Sequence, residues 1–186
     1  MSSTVCGRRT AVYHHVVEHR ATRDPALLPE LLASSLDSLY RMARAAGALP
    51  DRAEEAVQET CRIALERVRQ YRGEGPLFGW VARIAWREGS KRAARARAGP
   101  LPGTLAALGV DPTEVASLRE ERGRLERALD ALAPPQRAAI LLQSAEGLSC
   151  EEIARVLGRS VGTVWSDLSR ARTRLREILS SGGERT

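Results

Sequence analysis

The sequence predicts an all-α protein: two small helical bundles joined by a flexible linker, the second containing a helix-turn-helix. Three observations predict it. Aromatic residues are only 4% of the 186 while 43% are apolar, a composition that suits helices packed through Leu, Ala and Val better than a β-sandwich. Glycine and proline punctuate long helix-forming stretches, with no strand-rich segment, internal repeat or long low-complexity tract between them. The third observation is Leu148–Arg172, LSCEEIARVLGRSVGTVWSDLSRAR, which has the grammar of two short helices around a tight turn.

Taken in order, residues 1–25 read as a polar, flexible N-terminal extension ending near Asp24-Pro25. Cys6, His14, His15 and His19 within it lack a closed four-ligand spacing, so no metal is expected there. Residues 26–97 form the first bundle, broken at Gly47–Pro50 and Gly73–Pro76. Its first helix has Leu31, Leu32, Leu36, Leu39, Tyr40 and Ala43 on one apolar face. Asp51 is read as the cap of the second helix, with Glu54 three residues on. Along that helix Ala56, Val57, Thr60, Cys61 and Ala64 can pack, leaving Glu54, Glu55, Gln58, Glu59 and Arg62 at the surface. The third helix starts near Leu77 and turns Trp80, Val81, Ile84 and Ala85 inward. Trp80 is read as core, whereas Phe78 and Trp86 fall off the strongest apolar stripe and can be either core or exposed faces. Arg83, Arg87, Lys91 and Arg95 recur at steps of four and make one basic stripe. Like charges at this spacing repel, and an anion such as a nucleic-acid backbone relieves them.

Residues 98–119 read as the linker, opening on the Pro- and Gly-rich AGPLPGTLAALGVD. A helical pattern resumes at about Pro112, runs through Leu118, Leu125, Leu129 and Leu132, and stops at Pro134-Pro135. Gln136–Ala145 is a further short helix. In the second bundle, 120–180, Ser149 and Glu152 have capping-box spacing, Ile153, Val156 and Leu157 follow at helical spacing, and Gly158 suits a left-handed helix end. Ser160 can cap the next helix, with Val164, Leu168 and Ala171 inward and Thr163, Ser166, Ser169 and Arg170 outward. Residues 181–186 are a tail. This second helix is the one that would enter a major groove.

Composition bounds the function. The formal net charge of +6 and pI ≈ 10.0 favour a polyanionic partner. No window has the ~18 apolar residues of a membrane span, and the N-terminus has no signal-peptide core. Three scattered cysteines suit a reducing compartment, so a cytoplasmic protein is expected. No nucleophile–base pair, phosphate loop or metal constellation is present, so neither an enzyme nor a cofactor is expected.

Three strings occur in one order: EEAVQET at Glu54–Thr60, RGEGPLFGWVARIA at Arg72–Ala85, and LAPPQRAAILLQSAEGLSCEEIARVLGRSVGTV at Leu132–Val164. Together they resemble bacterial RNA polymerase sigma factors of the extracytoplasmic-function (ECF) group of the sigma-70 family, over roughly 26–97 and 120–178. The resemblance implies that 26–97 corresponds to region 2 and 120–180 to region 4. It implies that Glu55, Gln58, Glu59 and Arg62 dock on the clamp of core RNA polymerase. Tyr71, Phe78, Arg83, Trp86, Arg87 and Lys91 would capture and melt the −10 promoter element. Arg159, Ser160, Thr163, Trp165, Ser166, Ser169 and Arg170 would read the −35 element. Promoter DNA, core polymerase and an anti-sigma factor are the implied partners, without membrane insertion.

Departures from the family pattern accompany the match. Trp165 and Asp167 stand where relatives commonly have Lys and Arg, Ser169 where many have His, and Arg159 where an apolar residue is usual. Arg87 and Lys91 replace a usual Asn and Asp, Glu55 a usual aspartate, and Cys61 a usual Phe. Asp167 is unfavourable near phosphate, although a carboxylate can accept from cytosine. Trp165 and Asp167 above all support an alternative: a sigma-like decoy or partner-switching protein that binds an anti-sigma factor without initiating. A free-standing helix-turn-helix regulator is a third reading, which leaves the first bundle without a role.

Overall fold

The computed structural model describes residues 21–98 and 116–181, and every secondary-structure element among them is helical. A 3-10 turn, Pro25–Leu27, leads into α1, Leu28–Ala45, followed by α2, Pro50–Arg67, and α3, Leu77–Ala98. After the undescribed stretch come α4, Ala116–Asp130, α5, Pro134–Ser144, α6, Cys150–Leu157, and α7, Val161–Ser181. Residues 1–20 of the expected extension, with Cys6, His14, His15 and His19, and most of the expected linker lie outside the described residues. Helix α4 begins inside the segment read as linker.

The first bundle is α1, α2 and α3, each packed on the other two. Helix α1 stops at Gly47, whose φ of 97° supplies the reversal, and Arg44 donates to Ala48 O at 2.8 Å across the turn. Asp51 is not the cap of α2: Leu49 occupies that position without a side-chain bond, and Pro50 opens the helix. Proline is pre-set for the first helical position, where no N–H is required. Leu31, Leu32, Leu39 and Ala43 are buried as their spacing predicts, but Leu36 is 49% exposed. Small residues let the helices approach closely. Gly89 of α3 lies so near α1 that a Cβ there would sit 2.7 Å from Ala43 Cα.

In the second bundle, Pro134 and Pro135 lie inside the first turn of α5 instead of preceding it. Helix α5 packs on α7, α6 on both, and α4 on α7. The helix-turn-helix forms as expected. Ser149 Oγ accepts from Glu152 N while Glu152 accepts from Ser149 N, and Gly158 ends α6 with φ 66° and ψ 40°.

The two bundles are packed together in one apolar core. Leu28, Leu39, Phe78 and Val81 of the first belong to the same buried cluster as Leu142, Ile153, Val156 and Leu168 of the second. Helix α6 lies on α3 and α5 on α1. Arg137 of α5, only 14% exposed at its side chain, donates to Ala45 O at the end of α1 and pairs with Asp130. A cation at a helix C-terminus is favourable because the last carbonyls are unpaired.

Candidate nucleic-acid interface

The second helix of the helix-turn-helix, α7, presents a mixed face. Val164, Leu168 and Ala171 are fully buried, which leaves Trp165, Ser166, Ser169 and Arg170 outward and exposed. Ser160 Oγ accepts from Thr163 N at 3.1 Å and shares a hydrogen bond with Thr163 Oγ1 at 2.8 Å. Trp165 is 60% exposed. Asp167 does not face outward: it is 6% exposed, and Arg159 Nη1 donates to it at 2.7 Å. The expected clash between this carboxylate and phosphate is thus absent, because Asp167 closes an ion pair across the turn. Arg159, read from the sequence as a DNA contact, is engaged by that pair and is not a free cation. The two departures compensate one another, a relation that two positions eight residues apart, one in the turn and one in the helix after it, do not reveal in sequence.

Before α3, Gly73 (φ 72°) and Gly75 (φ 120°) reverse the chain, and the Tyr71 hydroxyl donates to Gly75 O. Leu77 N donates to Thr22 O at 2.7 Å, tying the start of α3 to the segment before α1. The Tyr71 and Trp80 rings lie 5.9 Å apart, tilted by 54°. Burial pushes the Tyr71 hydroxyl pKa up. Phe78 is fully buried, so it offers no face to a base in this arrangement. Trp80, read as core, is instead half-buried at the edge and lines two clefts. Two residues apart, the aromatics point to different sides of α3: Phe78 enters the shared core, and Trp80 stands at a cleft opposite Arg155 and Val156 of α6.

The larger of these clefts, of ≈ 280 Å³, runs between the end of α2 and α3 and is lined by Arg67, Gln70, Trp80, Arg83, Arg87 and Lys91 among others. It combines an indole with four cations, the chemistry that tracks an unstacked strand. Arg83 and Arg87 are exposed and have no partner among the described residues. Lys91 is bound to Glu88 at 2.5 Å, and Arg92 to the same carboxylate at 3.0 Å. Trp86 is half-buried against the core. By sequence alone Arg67 and Gln70 have no role and Trp80 only a core role, yet all three line this cleft. Arg67 and Gln70 join the cleft only because α2 and α3 pack against each other. The smaller cleft, of ≈ 160 Å³, has Tyr71, Arg72, Trp80 and Arg83 on one side and Arg155 and Val156 of α6 on the other.

Glu55, Gln58, Glu59 and Arg62 share the surface of α2, Glu59 half-buried and the other three exposed. Arg62 bridges Glu59 and Glu66, each at 2.6 Å. Its hydrogen bonds hold the Glu59 carboxyl below the usual range, and the two carboxylates raise Arg62 in turn. Glu55 pairs with Arg52 at 2.8 Å, with Arg92 of α3 3.7 Å away. Beside this ridge an open groove of ≈ 510 Å³ contains Leu36, Tyr40, Val57 and Cys61, and burial pushes the Cys61 thiol pKa up.

A model of the family described as "Sigma-70, region 4" matches residues 122–175, which contain α5, α6 and most of α7. The ECF RNA polymerase sigma factor SigE of Mycolicibacterium smegmatis is 34% identical over 175 residues, covering 89% of this chain and 68% of that protein. ECF sigma factor EcfG of Rhodopseudomonas palustris is 32% identical over 161 residues, covering 85% and 87%. Among solved structures, sigma factor RpoE of Bartonella quintana, determined with the anti-sigma factor NepR, superposes with a TM-score of 0.65 at 29% identity, covering 84% of this chain and 98% of that one. CnrH, determined with the cytosolic domain of CnrY, shares the fold with a TM-score of 0.60 at 23% identity, over 89% and 96%. With relatives of this identity matched over most of both chains, this chain belongs to the ECF group of RNA polymerase sigma factors.

Proposed function

We propose that the chain binds core RNA polymerase and directs it to specific promoters, making and breaking no bond itself. The observation that carries this reading is the presence, on one chain, of both a helix-turn-helix face and a separate cationic cleft containing an indole. A duplex reader alone needs only the first. Residues 26–97 act as region 2 and 120–180 as region 4. Helix α2 docks on the polymerase through Glu55, Gln58, Glu59 and Arg62. Tyr71, Trp80 and Trp86 supply faces for unstacked −10 bases, while Arg83, Arg87 and Lys91 follow the phosphates. Helix α7 reads the −35 element in the major groove. The work is cytoplasmic, beside the polymerase; no helix among the described residues is long and apolar enough to cross a membrane.

An anti-sigma factor is a further proposed partner. The Bartonella relative was solved with one, and the packing of region 4 on region 2 suits a chain that is held inactive. This same packing is what favours the decoy reading. Asp167 no longer does, because it faces Arg159.

The deciding experiment is comigration of the purified chain with bacterial core RNA polymerase on gel filtration, with Glu59→Lys beside it. Stable binding that the substitution weakens by tenfold or more, on the order of 1.4 kcal/mol, is the expected result. A folded chain that does not bind core polymerase would transfer the assignment to the decoy.

A further inference from the structure

The first two turns of α7 have few free hydrogen-bonding groups facing outward. Ser160 and Thr163 are bonded to each other, and Ser166 Oγ donates to Gly162 O at 3.2 Å. These three hydroxyls retain one free proton between them. Arg159 has its charge paired with Asp167 through Nη1 at 2.7 Å. What remains is Trp165, the most exposed of the large apolar side chains among the described residues at 60%. Ser169 lies one turn on from it, and Arg170 one turn on from Ser166, both exposed. Arg170 and Arg176 are exposed cations without a partner among the described residues, the charge that would seat this helix against phosphates.

The geometry points to Trp165 as the residue that sets base specificity, by reading a thymine in the major groove, an inference that rests on the sigma-factor assignment above. Thymine is the base that presents a methyl group there, and its O4 acceptor lies beside that methyl. An indole offers an apolar face and one N–H donor with no acceptor. The two edges are complementary. Cytosine turns an amino donor toward the same N–H, and neither purine presents a methyl. Bidentate recognition needs Arg or Lys for guanine and Asn or Gln for adenine; the first two turns of α7 hold none of these, and Arg170 follows in the third.

The test uses the holoenzyme assembled from the full chain and core RNA polymerase. Duplexes are selected from a random pool, and each thymine of the recovered −35 element is then replaced in turn by deoxyuridine, which removes only the methyl. One replacement is expected to weaken binding by about fourfold, the value of one buried methyl. Trp165→Ala should bind both duplexes equally, and Trp165→Phe should retain the methyl effect. The side chain is exposed, so both variants should melt as the wild type does. If no deoxyuridine matters, or Trp165→Ala responds as the wild type does, the inference is wrong and the indole faces protein. Failure to recover any sequence from a folded, polymerase-bound chain would overturn the promoter reading itself, and this inference with it.

Discussion

Glu88 lies between α2 and the cationic cleft. It is 6% exposed, accepts from Lys91 and Arg92, and through Arg92 is linked to Glu55 O at 3.2 Å on α2. Without this carboxylate, Arg92, only 14% exposed at its side chain, loses its closest partner. Glu88→Gln is therefore expected to destabilise by about 3 kcal/mol, the low end for a broken buried pair because Lys91 still reaches water; a urea unfolding midpoint measures it. Asp167 is the second such residue. Asp167→Asn should cost on the order of 1–2 kcal/mol in the same melt. It also frees Arg159 beside the duplex, so the salt slope of DNA binding should steepen by about one charge. An unchanged slope would mean that Arg159 stays away from phosphate even when released.

At the scale of the element, α6 and α3 depend on different devices. Helix α6 has only eight residues, too few to persist without a cap and tertiary packing. Ser149→Ala should cost about 1 kcal/mol. Gly158→Ala should cost about 1–2 kcal/mol, since its φ of 66° strains any residue with a Cβ. Helix α3 depends on close approach. At Gly89 the new Cβ would meet the Ala43 backbone, 2.7 Å from Cα and 2.8 Å from the carbonyl oxygen. Backbone cannot rotate aside, so Gly89→Ala must part α1 from α3, at about 1–3 kcal/mol. Thermal melts of the three variants should place it at least level with Gly158→Ala. Little loss at Gly89 would mean that the two helices separate easily.

For the whole molecule, the shared core sets a geometric problem. The −35 and −10 elements are roughly 25 base pairs apart by their own numbering, or ~85 Å at about 3.4 Å per pair. A folded chain of this length has a radius of gyration near ~16 Å. The closed arrangement, with α6 on α3 and Arg155 and Val156 across the cleft from Trp80, cannot serve both sites at once. Binding to polymerase and promoter must separate the bundles. Donor and acceptor dyes on cysteines at Gln70 and Glu151, with Cys6, Cys61 and Cys150 replaced by alanine, should show high transfer in the free chain and lose it in the promoter complex. Transfer that persists there would sink the two-site reading.

The sequence by itself determined the all-helical class, the breaks at Gly47–Pro50 and Gly73–Pro76, the capping box at Ser149 and the left-handed Gly158. These follow from backbone rules that act within a few residues. It also placed Val164, Leu168 and Ala171 inward, because one helical period settles which face is apolar. Tertiary structure decided the rest. Leu36 has the right period for burial, yet it stays 49% exposed in the open groove it shares with Val57 and Cys61 of α2. Phe78, open to either reading by its spacing, is fully buried, while Trp80, expected in the core, stands half-buried at a cleft whose far side is Arg155 and Val156 of α6. Asp167 turns from an apparent obstacle to DNA into the partner of Arg159, and Arg67 at the end of α2 and Gln70 in the 3-10 turn after it join a cleft that their own segment does not foretell. In each case the outcome depends on which second element stands opposite, and periodicity within one element carries no information about its neighbour.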